Sequence, residues 1–167
     1  TGALTIGAGG DITSGGAFDQ SGGGTVSTAG DITTTNAAIG FADPVTLTAA
    51  VALSSGAGAG TITFGGTLLG TQTLSLTAGS GNIDFDGIVG ATPLGAVTIV
   101  SAGNVTADAA FSAASLVQSA GTGTTQFDGA LITTAVAGVN ITAAAINLSS
   151  TINTTAGLGV TTFVNTG

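Results

Sequence analysis

This chain contains no Lys, Arg, His, Glu, Cys, Met, Trp or Tyr in 167 residues. An average chain of that length carries roughly 20 Lys plus Arg alone. Each absence removes a class of chemistry. Without cations nothing neutralises phosphates, which excludes nucleic-acid binding and polybasic contact with a membrane surface. Without Cys there is no disulfide and no thiolate metal site. Without His, Lys, Cys, Glu or Tyr, a Ser–His–Asp arrangement, thiol chemistry and Schiff-base chemistry are all out of reach. A chain without Met reads as a processed or partial piece of something longer, with any signal peptide outside it.

The remaining charge is eight Asp, for a net charge of −8. Ala, Val, Ile and Leu are plentiful, but every long apolar window is interrupted. Ile88–Val100, for example, carries Gly90, Thr92, Pro93 and Gly95. A membrane-spanning helix needs about 20 mostly apolar residues, and a membrane barrel needs aromatic girdles. No transmembrane segment is expected. Abundant β-branched residues and scarce charge also argue against disorder.

The sequence repeats itself. One unit is Gly, then Asp or Asn, then Ile or Val: Gly10-Asp11-Ile12, Gly30-Asp31-Ile32, Gly81-Asn82-Ile83 and Gly103-Asn104-Val105. A second is a short alternating run, as in Leu4-Thr5-Ile6, Val45-Thr46-Leu47, Leu74-Ser75-Leu76, Val97-Thr98-Ile99 and Val139-Asn140-Ile141. A third is Gly-x-x-x-Phe-x-Gly, at Gly60–Gly66, Gly81–Gly87 and Gly123–Gly129, which sets Phe64, Phe85 and Phe127 at spacings of 21 and 42. Phe163 is a candidate fourth member at an irregular 36.

The alternating runs recur about every 22 residues, with one long step from Val45 to Leu74 that reads as a larger loop or an irregular coil. Each step holds two or three short period-2 runs punctuated by Gly, Asn, Asp or Ser. This pattern predicts an all-β fold without significant helix. It is a parallel β-solenoid, right-handed β-helix-like, with about 22 residues per coil and seven to eight coils, as a single domain over residues 1–167. Coils stack about 4.8 Å apart, giving a rod on the order of 35 Å long. Ile6, Leu47, Leu76, Ile99 and Ile141 are among the expected inward positions, which form apolar ladders. Phe64, Phe85 and Phe127 are expected to share one column, and Asn82 and Asn104 to bond between coils at turns.

These motifs resemble the β-helical repeats of filamentous-haemagglutinin-like and autotransporter-type bacterial surface adhesins. The resemblance rests on Gly-[Asp/Asn]-[Ile/Val], the strand runs and Gly123-Thr-Thr-Gln-Phe-Asp-Gly129. It implies a secreted or surface-displayed rod with an adhesive, scaffolding or filament role, and no catalytic site. The implied partners are a host or neighbouring cell surface, a glycan, further copies of the chain, or the continuation of a longer solenoid.

Three groups of residues are weighed as sites. Asp84 and Asp86 have the i, i+2 spacing that puts both carboxylates on one strand face. Together with Asp11 and Asp31, stacked at equivalent turns, they are candidate Ca²⁺ ligands. The plainer reading is exposed turn residues with Asx geometry and no cofactor at all. Thr5, Ser27, Thr46, Ser75, Thr98, Val117, Asn140 and Thr161 form an outward ladder that could order water, as on an ice-binding face, although Thr is also simply a good exposed strand residue. Four sequons, at Asn104, Asn140, Asn147 and Asn153, are expected by chance in a Thr-rich chain and matter only in a eukaryotic secretory context. The leading expectation is a non-enzymatic extracellular rod. The alternative is a ligand-binding solenoid with one functional face for Ca²⁺, glycan or ice.

Overall fold

The computed structural model describes residues 2–167, and every regular element among them is a β-strand. No helix long and apolar enough to cross a membrane is present among the described residues. The chain winds in about eight coils of about 21 residues. The first three coils are β1 (Leu4–Ile6), β2 (Ile12–Ser14) and β3 (Phe18–Gln20); β4 (Val26–Thr28), β5 (Ile32–Thr34) and β6 (Ile39–Phe41); and β7 (Val45–Leu47), β8 (Val51–Ser54) and β9 (Ile62–Phe64). Next come β10 (Leu68–Leu69), β11 (Leu74–Thr77) and β12 (Ile83–Phe85), then β13 (Val89–Ser101) with β14 (Val105–Ala107), and β15 (Phe111–Gln118) with β16 (Thr124–Phe127). The last coils are β17 (Leu131–Thr133), β18 (Val139–Ala143) and β19 (Ala145–Leu148), and then β20 (Ile152–Asn153) and β21 (Thr161–Asn165).

Every pairing is parallel and joins one coil to the next. Three faces result. The first begins at β1 and the second at β2. They merge into one 14-stranded sheet because β13 and β15 run round the corner between them. The third is a separate 7-stranded sheet from β3 to β19. Alternation is preserved along most of the short strands, though not in β19 and β21 at the exposed end of the rod. In β12, Ile83 and Phe85 are buried and Asp84 between them points outward. A period-2 strand over a narrow interior has this form, with apolar residues inside and small polar residues outside.

The long step from Val45 to Leu74 is a change of face and not a larger loop. Val45 stacks under Leu68, while Leu74 stacks over Val51. The alternating run at residue 45 therefore belongs to the first face and the run at 74 to the second. The inward residues Ile6, Leu47, Leu76, Ile99 and Ile141 are all buried as expected, but they are divided between these two faces.

The interior carries a continuous aromatic stack. Phe41, Phe64 and Phe85 lie in register on the third face, with ring centroids 5.5 and 5.4 Å apart and nearly parallel planes. Phe18 joins at 5.4 Å from Phe41. In the fifth strand of this face the side chain in the column is Ala107, between Phe85 and Phe127. The volume it leaves is filled from the first face of the next coil by Phe111, which meets Phe85 edge-on at 5.4 Å and Phe127 at 5.7 Å. Such edge-to-face contacts are favoured by the ring quadrupole. Phe64, Phe85 and Phe127 thus belong to one stack, as the sequence suggests, but Phe111 separates the last two. Phe163 lies outside it, on β21 opposite Ile141 and 40% exposed.

Several polar side chains interrupt the apolar interior, and two of them bond to each other. Gln118 takes the place of Ile99 and Ile141 in the second-face column, and its Oε1 accepts the Thr125 hydroxyl at 2.9 Å. Gly121 makes room for the Gln118 amide, which would collide with any Cβ there.

The exchange of volume between Ala107 and Phe111 is testable by a double-mutant cycle. Phe111→Ala is expected to cost about 3 kcal/mol through cavity formation, and Ala107→Phe about 1–3 kcal/mol through overpacking. In the double variant the new ring occupies the vacated space, so chemical denaturation should show at least about 1 kcal/mol of favourable coupling. Strict additivity would mean that the two side chains do not share that space.

Candidate functional site

The candidate residues occupy the outward surface and the corners. Gly-[Asp/Asn]-[Ile/Val] serves two different corners. Asp11 and Asp31 precede β2 and β5, at the entry to the second face, whereas Asn82 and Asn104 precede β12 and β14, at the entry to the third. The chemistry is the same at both. Asp11 Oδ1 accepts the Asp31 N–H at 2.9 Å, and Asp31 Oδ1 accepts the Ala52 N–H at 2.7 Å. Asn82 Oδ1 accepts both the N–H and the side-chain amide of Asn104, at 3.1 and 3.2 Å, and Asn104 Oδ1 accepts the Thr124 N–H at 2.8 Å. Asn36, at φ +54°, does the same for the Gly58 N–H at 2.7 Å. A short acceptor thus caps a backbone donor of the following coil where the chain bends out of the ladder. Asn82 and Asn104 are a structural ladder as expected. Asn36 escaped the sequence reading because no Gly precedes it.

Asp84 projects outward from β12 between Thr63 and Thr106. Asp86 stands at the next corner, followed in successive coils by Asp108 and Asp128, whose N–H groups donate to Phe85 and Ala107 as that of Asp86 does to Phe64. Asp108 and Asp128 therefore extend the Asp84–Asp86 pair into an acidic column that spacing within one strand cannot reveal. Gln126 donates to both carboxylate oxygens of Asp128, at 2.9 and 3.1 Å, and Ser149 donates to Oδ1 at 2.9 Å. No imidazole or amine side chain exists in the sequence to take a proton from that serine. Among the described residues no three acidic side chains converge in a group able to hold a metal ion. Partial burial, followed by the charges of Asp86 and Asp108, holds the Asp84 carboxyl above its ordinary value, and a hydrogen bond from Thr106 pulls the other way.

The expected hydroxyl ladder is not one column. Thr5, Ser27 and Thr46 lie on the first face and continue to Leu69. Ser75, Thr98, Val117 and Asn140 lie on the second, starting from Ala52 and ending at Thr162 instead of Thr161. The same face carries a more regular column: Thr13, Thr33, Ser54 and Thr77 follow one another in register through four coils, and Ser101 continues it in the fifth across a one-residue register shift. Beside it runs a shallow groove lined by Asp31, Ala52, Leu74, Ser75 and Thr98.

Asp84 sets a pH-dependent term. Its folded-state pKa is raised, so its contribution to stability is complete in acid below the ordinary carboxylate value and is lost as pH rises through the raised one. Asp84→Asn keeps the shape and removes the charge. It is expected to stabilise the fold at pH 7 by about 0.5 kcal/mol, the small size reflecting solvent screening. Urea unfolding at pH 3 should show no such gain; an equal gain at both pH values would contradict this assignment.

No family model, curated protein or solved structure matches this chain, so the functional reading rests on geometry and composition.

Proposed function

We propose that the chain is a non-enzymatic structural and adhesive rod, secreted or displayed at the cell surface, as a stiff segment of a bacterial surface adhesin or of a self-assembling fibre. The observation that supports this most is the parallel register that continues through all three faces from coil to coil. A rod whose backbone is tied to itself at every coil resists bending and local opening. Its lack of Lys and Arg leaves trypsin-like proteases nothing to cleave.

The strand edges give the rod a means of extension. β1, β2 and β3 each pair on one side only, as do β19, β20 and β21. Such edges accept another strand. Phe163, Val164 and Leu148, exposed at the β19–β21 end, would add apolar burial to those hydrogen bonds. The next coil of a longer chain, or the β1–β3 edge of a second copy, meets both needs. The resemblance of the repeats to surface adhesins favours the extracellular setting and a cell surface or glycan as partner.

The Thr13–Thr77 hydroxyl column, in register through four coils, favours a second reading, a flat ligand-binding face for a glycan or for ice. Electron microscopy at micromolar concentration, with and without EDTA, tests self-assembly and its dependence on a divalent cation. Long uniform filaments that survive EDTA are expected. Filaments that dissolve in EDTA would assign Ca²⁺ to the aspartates, with Asp84, Asp86, Asp11 and Asp31 the first to substitute. Isolated short rods under both conditions would overturn self-assembly.

A further inference from the structure

The first corner of the rod differs from all the others. Elsewhere three residues link the third face to the first, as in Ala42-Asp43-Pro44 or Asp86-Gly87-Ile88, but Ser21–Thr25 between β3 and β4 has five. The extra length is taken up at Gly22 and Gly23, with φ of +123° and +75°, a conformation that costs glycine least. The strap so formed folds against the following corner. Asp43 Oδ2 accepts the N–H of Gly23 at 2.9 Å, the N–H of Gly24 at 3.0 Å and Gln20 Nε2 at 2.7 Å. Gln20 Oε1 in turn accepts the Asp43 N–H at 3.3 Å. Gln20 occupies the position that Phe41, Phe64 and Phe85 hold in the next coils. Its amide ends the aromatic column and reaches the corner at once. On the other side, Gly24 lies against the Gly2 carbonyl with no room for a Cβ.

We propose that Gln20, Asp43 and the Ser21–Gly24 strap form a carboxylate latch that closes the first corner of the rod and opens in acid. An ionised carboxylate offers about four lone-pair sites, and its charge strengthens each hydrogen bond it accepts. The neutral acid carries a proton of its own and is a weaker acceptor, so protonation releases the strap. The two adjacent glycine N–H groups form a small concavity suited to an anion, which Asp43 supplies from within the chain. The side-chain bond from Gln20, followed by burial in the opposite sense and then the Gly24 and Gly23 amides, leaves the Asp43 carboxyl below its ordinary value. The latch is therefore shut above the ordinary carboxylate range and is lost as pH falls through the lowered value. Around Asp43 the strap, Gly2–Leu4, β6 and the next corner, Gly65–Thr67, carry no ionisable side chain; Asp19 on β3, with Oδ1 beside Gly40, is the other carboxyl on these elements. The apolar core of the rod contains no ionisable group, so acid opens this corner without dissolving the coils.

Amide hydrogen exchange followed by NMR tests the latch, with Val26 and Ala29, bonded to Pro44 O and Ile6 O, as ladder controls. In the unmodified chain, protection factors at Gly23 and Gly24 are expected to fall at least about tenfold between pH 7 and pH 2.5 while those of the controls persist. Asp43→Asn should remove this pH dependence, and Asp43→Ala should abolish strap protection at every pH. Unchanged protection of Gly23 and Gly24 in acid, or the same fall in Asp43→Asn, would overturn the proposal.

Discussion

The parallel backbone ladder places each residue about 4.8 Å from its counterpart one coil away, and the rest of the molecule follows from that spacing. A side chain in a solenoid is flanked by the side chains at the same position above and below, so whatever is chosen at one position is judged against its own kind. Aliphatic groups and phenyl rings gain from such stacking, as Phe41, Phe64 and Phe85 do with almost parallel planes. Amides gain too, as Asn82 and Asn104 show by sharing an oxygen. Carboxylates do not. They are tolerated where each one accepts a backbone donor from the next coil, as Asp11 and Asp31 do, or where they stand outward at a corner, as Asp86, Asp108 and Asp128 do.

The same constraint accounts for the poverty of the composition. A long cationic side chain has no place in so narrow an interior. Thr, Ser and Ala cover the flat faces at little desolvation cost, and hydrophobic burial comes from many small ladders instead of a few large contacts. A molecule built this way has mechanical continuity as its main physical property. That is why a rod, and not a pocket, organises the functional proposal.

Much of this was legible in the chain. Period-2 runs recurring about every 22 residues, with glycine and Asx punctuation, point to stacked coils because the alternation rules out helix and the recurrence matches one turn of a three-sided solenoid. The Gly-x-x-x-Phe-x-Gly units at Phe64, Phe85 and Phe127 do mark the third face. What the pattern does not encode is which face a run belongs to. All three faces use strands of similar length and the same alternation, so Val45-Thr46-Leu47 and Leu74-Ser75-Leu76 look alike while lying on different sides. Phe111 was hidden for a related reason: it fills the place of Ala107 from another face, and its ring meets Phe85 and Phe127 at spacings that match no repeat. Asp43 is equally silent in sequence, because its three donors come from the preceding coil, one from the end of β3 and two from the corner after it.

Register and face assignment therefore form the central claim, and the absence of native cysteine allows a direct test. Cysteine pairs at Thr46 with Leu69 and at Ala52 with Ser75 occupy in-register positions on adjacent coils, a separation within the range that a disulfide spans. Both pairs are expected to oxidise within one chain, whereas Thr46 paired with Ser75, on different faces, should remain reduced. Ready cross-linking of Thr46→Cys with Ser75→Cys, alongside failure of the two in-register pairs, would contradict the account.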